Sequence, residues 1–149
     1  MIHSRHRARE IALQILYQYD PSPPHPKEEE LIQELQEHYS HFRVPENLRD
    51  FIGQLVAGTL HHLAALDEIL EKYASNWKIT RMSTVDRCLL RMATYEMIYL
   101  SESSPLIVID EAIELAKQFG AADSSSFING VLDSIRIHVK VPTQAAIAE

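Results

Sequence analysis

The chain has 149 residues, 46% apolar and 23% charged, ordinary proportions for one globular domain or two small halves. Its single cysteine, Cys88, excludes an internal disulfide framework and any four-thiolate metal site. The net charge of −7, from 14 basic and 21 acidic side chains, argues against a uniformly basic nucleic-acid binder.

Glycine and proline are sparse, and Pro21, Pro23, Pro24 and Pro26 account for four of the seven prolines. Long stretches therefore lack a breaker, which suits helices. The first helix is expected over about Ser4 to Tyr19, with Ala8, Ile11, Ala12, Ile15, Leu16 and Tyr19 on one stripe. The proline run ends it, because X-Pro steps disfavour helix. Lys27 to Phe42 reads as the second helix, with Leu31, Ile32, Leu35, Tyr39 and Phe42 facing inward. Glu28, Glu29 and Glu30 fill its first turn, where the helix dipole favours acids.

A third stripe starts near Pro45 with Leu48, Phe51, Ile52, Leu55, Val56 and Leu60. Leu63, Leu66, Ile69, Leu70 and Tyr73 continue it. The periodicity leaves open whether this is one bent helix or two. Ser83 reads as the N-cap of a helix to about Leu100 that is apolar nearly all round and belongs at the centre of a bundle. Ser104-Pro105 opens the next helix, striped by Val108, Ala112, Leu115 and Phe119 and closed by Gly120. Asp123 is the N-cap candidate of the last helix, with Phe127, Ile128, Val131, Leu132 and Ile135 facing inward. Ile107-Val108-Ile109 is β-prone alone, but a helical stripe runs through it. The expected class is all-α, with six or seven helices. The segment 141–149 is expected to fray.

No apolar run approaches the ~20 residues of a membrane span. The N-terminus lacks the apolar core of a signal peptide. A soluble, cytoplasmic protein with no membrane partner is expected.

The charge is unevenly spread. Arg5, Arg7 and Arg9 stand in the first nine residues without an acid, while residues 10–149 carry a balance of −10. Cations at a helix N-terminus oppose the dipole at a cost of roughly 0.3–1 kcal/mol each. An external anion offsets that cost, and guanidinium forks match phosphate oxygens. At 100° per residue Arg5 and Arg9 lie about 40° apart, and Arg7 lies about 160° from Arg9. The alternative is a solvated terminus.

Eight histidines invite a metal reading. His38 and His41 share a helix face and His61-His62 is a pair, but no metal-binding motif is present. Neither a metal nor a cofactor is expected. Glycines 53, 58, 120 and 130 never cluster into a phosphate loop. Cys88 reads as a core thiol, and no set of residues assembles a catalytic constellation. Phe127 reads as core, although an aromatic near a helix N-terminus also suits base stacking.

Three blocks carry a resemblance. The first is Arg5-His6-Arg7-Ala8-Arg9-Glu10 with Ala12-Leu13-Gln14 and Leu16-Tyr17. The second is Leu89-Leu90-Arg91-Met92-Ala93, Tyr95-Glu96 and Ile109-Asp110-Glu111-Ala112-Ile113-Glu114-Leu115-Ala116-Lys117. The third is Asp123-Ser124 before Phe127-Ile128-Asn129-Gly130-Val131-Leu132-Asp133. Together they resemble the NusB family of transcription antitermination factors.

The resemblance implies a single all-helical, non-catalytic domain over 1–149, built of two packed halves at about 1–76 and 77–140. It would bind boxA RNA, a short single-stranded element of ribosomal-RNA leaders. NusE, a small-subunit ribosomal protein, would bind with it and help RNA polymerase read through terminators. By the same resemblance Arg5, His6, Arg7 and Arg9 fall on the RNA-binding segment. Asp123 and Phe127 fall on RNA-contacting positions, and Tyr17 lies near that surface. Asp86 falls at the NusE interface. His6 stands where an arginine is common, so one fixed charge is missing. A homodimer that masks the basic segment stays open. So do two other readings: a helical interaction module without RNA binding, and an RNA-recruiting partner of an RNA methyltransferase.

Overall fold

Apolar positions recur every three to four residues along most of this chain, and each such stripe folds as a helix that buries it. The computed structural model describes residues 2–20, 25–75, 77–100 and 102–139, with the backbone alone for 2–4. Among the described residues there are seven α-helices and no strand. They are α1 (Ile2–Tyr19), α2 (Glu28–His41), α3 (Glu46–His61), α4 (Leu63–Tyr73), α5 (Thr84–Tyr99), α6 (Pro105–Phe119) and α7 (Ser124–His138). A short 3-10 turn, Ile79–Arg81, lies between α4 and α5. The all-α expectation holds, and Ile107-Val108-Ile109 lies inside α6. Pro21, Pro23, Pro24 and the segment 141–149 lie outside the described residues.

The helices form two compact units, one ending at His61 and one beginning at His62. In the first, α1 and α2 pack on α3. The α1 stripe is buried from Ala8 to Leu16, and Leu13 joins it. On α2 the expected face is narrower than its sequence suggests. Leu31, Leu35 and Tyr39 are buried, whereas Ile32 and Phe42 are exposed. Ile32 sits at the margin of the stripe, and Phe42 is the C-cap, one residue past the helix. The Phe42 ring packs instead on His38 and His41, with centroids 4.5 and 4.7 Å away.

The α2–α3 turn carries Arg43 at φ 53°, a strained value for a residue with a side chain. Arg49 braces it by donating through Nε and Nη2 to the Val44 carbonyl at 3.0 and 2.9 Å.

The stripe from Pro45 to Tyr73 resolves into two helices. The break is His62, at φ −115° and ψ 19°. Its ring packs against Tyr99 and Tyr95, with centroids 4.3 and 5.5 Å away.

In the second unit α5 contacts α4, α6 and α7. Ten of its sixteen residues are buried, as a central helix requires. Ser83 caps it by accepting from the Asp86 amide at 3.2 Å. Ser104 caps α6 by accepting from the Ile107 amide, with Pro105 in the first turn. Arg91 ties α5 to α4 through a fork onto Asp67: Nε donates to Oδ1 at 2.7 Å and Nη2 to Oδ2 at 2.8 Å.

Candidate nucleic-acid interface

The basic tip is the first part of α1, in the first unit. The helix divides its arginines as their angles dictate. Arg5 and Arg9 both face Phe51 of α3, with guanidinium carbons 4.3 and 5.4 Å from the ring centre. Such cation–π contacts contribute ~0.5–1 kcal/mol where exposed and more where dry. Arg9 is only 2% exposed, so it is a core residue as much as a surface cation. Arg5 and His6 are half-buried.

Arg7 points the other way. Its side chain is 57% exposed and pairs with Glu10, one turn on. This corrects the expectation that all three arginines lack an acid of their own. The first nine residues contain none, but Glu10 is the tenth and faces Arg7 at i+3. Tyr17, also on α1, is half exposed.

The second unit holds Asp86, Asp123 and Phe127. They come from two helix starts and line one cavity of about 400 Å³, with Trp77, Met82 and Ser126. Asp86 lies in the first turn of α5. One of its carboxylate oxygens is buried and meets no donor among the described residues. Phe127 is half-buried, and its ring meets Trp77 edge-on, with centroids 5.7 Å apart and planes at 62°. Trp77 was not among the residues singled out from sequence. The available signal was modest: the only tryptophan of the chain stands in a short connection between helices.

The connection that carries Trp77 is fixed from below. Arg87, buried in α5, donates through Nη1 to the carbonyls of Ile79 and Met82, both at 3.0 Å.

Asp123 corrects a second expectation. It occupies the N-cap position of α7, and its carbonyl accepts from the Phe127 amide at 3.2 Å. Its side chain makes no capping bond. At φ −98° and ψ −1° its backbone is already helical, whereas a capping side chain needs the extended conformation. Ser124 braces the corner instead, accepting from the Ala121 amide at 2.9 Å.

Among the described residues no group of three or more histidine, cysteine or acidic side chains is arranged to hold a metal. Among the described residues no helix is long and apolar enough to cross a membrane.

Comparison with known proteins assigns the family. The NusB family pattern matches residues 6–136. The chain is 46% identical over 134 residues to the transcription antitermination protein NusB of Elusimicrobium minutum (strain Pei191), covering 89% of this chain and 93% of that protein. Its fold superimposes on NusB of T. maritima with a TM-score of 0.79 at 30% identity, covering 97% of each chain. It also superimposes, at TM-score 0.78 and 26% identity, on a structure described as antitermination factors NusB and NusE in complex with double-stranded RNA, covering 92% of this chain and 98% of that one. The sequence blocks, the helical architecture and these likenesses agree that the chain belongs to the NusB family.

Proposed function

We propose that this protein is a transcription antitermination factor that binds boxA-type single-stranded RNA together with NusE and so promotes read-through by RNA polymerase on ribosomal-RNA operons. The observation that carries the reading is the likeness, over nearly the whole chain, to a NusB found with NusE and RNA. The geometry supports it at two places. Arg7 offers an exposed guanidinium at the tip, and the half-buried Phe127 offers an aromatic ring to RNA. Asp86, with an unmet acceptor, is the residue proposed to meet NusE.

On this reading the protein is a cytoplasmic adaptor and not an enzyme. Its output is a coupling free energy. RNA engages a few cations and stacks on aromatic rings, each stacked base contributing ~1–3 kcal/mol. NusE extends the RNA-binding surface. Coupling is reciprocal, so RNA tightens NusE binding by the factor by which NusE tightens RNA binding. The test is a gel shift of boxA RNA and of a duplex of the same length, with and without NusE, across a salt series. The single strand should bind more tightly when NusE is present. Equal affinities in the presence and absence of NusE would end the adaptor reading.

A further inference from the structure

We infer that Trp77 is an RNA-contacting residue of this protein: it forms, with Phe127, the receptor for one unpaired nucleobase. The inference rests on the function proposed above and adds to it a site and a ligand class.

Three observations converge on Trp77. First, its indole is 52% exposed although it adjoins a well-buried helical unit. Burying a ring of this size is strongly favourable, so leaving half of it in water forgoes much of that gain. Second, its contact with Phe127 is near-perpendicular. An edge-on pair leaves at least one face of the indole uncovered by its neighbour, and a base stacks on such a face. Third, the ring stands on a connection that is held and not loose. The paired bonds from buried Arg87 to the Ile79 and Met82 carbonyls pin the chain just beyond it. A pre-positioned ring loses little freedom on binding.

The cavity lining selects which part of a nucleotide enters. Its volume of about 400 Å³ exceeds that of a single base. Asp86 and Asp123 line it, and two carboxylates repel a phosphate. A base is neutral and meets no such repulsion. The backbone phosphates therefore stay outside, and the base turns in. An arginine side chain from a protein partner is the competing occupant, because it satisfies both rings and acids. The neighbouring Phe127, proposed to stack on RNA, favours the base.

Trp77 is the chain's only tryptophan, so its fluorescence reports on this cavity alone. The experiment titrates the full chain with a boxA-type single-stranded RNA and, separately, with NusE. Saturating RNA should quench Trp77 emission. Trp77→Ala should weaken RNA binding by roughly five- to hundredfold, with unchanged far-ultraviolet circular dichroism and unchanged affinity for NusE alone. Trp77→Phe should recover most of the loss.

RNA binding that leaves the emission unchanged and ignores both substitutions would overturn the inference alone. Loss of NusE binding instead of RNA binding would overturn it as well, and would give the cavity to the protein partner. An unaltered chain that binds no RNA, with or without NusE, would remove the proposed function and this inference together.

Discussion

The Arg5 guanidinium lies 4.3 Å from the centre of the Phe51 ring, and the same ring also receives Arg9. One aromatic side chain of α3 thus orients two cations of α1. Phe51→Leu keeps apolar volume and removes the ring. The expected result is a folded protein with slightly lower Tm and RNA affinity reduced about two- to fivefold, consistent with ~0.5–1 kcal/mol for the half-buried Arg5 contact. Calorimetry and RNA titration of the variant check this.

Arg7 and Arg9 should separate cleanly. Arg7→Ala removes an exposed cation, so Tm should hold while RNA affinity falls. The slope of log K against log salt should shrink by about 0.7, the share of one phosphate contact on a single strand. Arg9→Ala removes a buried side chain stacked beside Phe51 and should destabilise the fold by ~1–3 kcal/mol. Urea denaturation and a salt series distinguish the two.

Asp123→Asn should tighten RNA binding about two- to fivefold at low salt, by removing one charge that repels phosphate. The α7 helix should be unaffected, since the Asp123 side chain makes no capping bond. Weaker binding, or a fall in Tm, would contradict this account.

The Arg91–Asp67 fork is partly buried, with side-chain exposures of 14% and 29%. Asp67→Ala removes both carboxylate acceptors of the fork and should cost ~1–3 kcal/mol. Replacing both, Asp67→Ala with Arg91→Met, should recover part of the loss, because the partly buried charge goes with its partner. Urea midpoints of the three proteins test the order.

Burial, and secondarily the charge of His41, holds the His38 imidazole below its ordinary value of 6.5. The folded state therefore favours neutral His38. Its stabilising preference is complete above pH 6.5 and is lost as pH falls through the lowered folded value. Proton NMR should place the His38 midpoint below 6.5, and His41→Asn should move it part of the way back. A midpoint at or above 6.5 in the unaltered protein would refute the assignment.

The helices were legible because their stripes are regular and their starts are chemically marked. Ser83 and Ser104 cap as their positions require, and α5 is as buried as its composition demands. What escaped lies in contacts between elements. The break at His62 has no glycine or proline to announce it; its ring packs on residues more than thirty positions away. Phe51 reads as one more stripe residue, and nothing local marks it as the seat of two guanidinium groups. The angular division of Arg5 and Arg9 from Arg7 follows from helix geometry, whereas the Glu10 partner lies one residue past the acid-free stretch. Trp77 was hidden because a single aromatic in a connection has no period. Its meaning depends on Phe127, which arrives beside it through the fold of α7.

Gly120 closes α6 at φ −92° and ψ −175°, a backbone open to any residue. Yet a methyl group there would lie 2.7 Å from Ser124 Cβ and Oγ and 2.8 Å from the Ala116 carbonyl oxygen. Space, not flexibility, reserves this position. A library randomised at residue 120 and sorted for folded protein should return glycine almost alone. Any lineage that lost it would have to rebuild the whole elbow that aims Asp123 and Phe127 before the protein could serve its cell again.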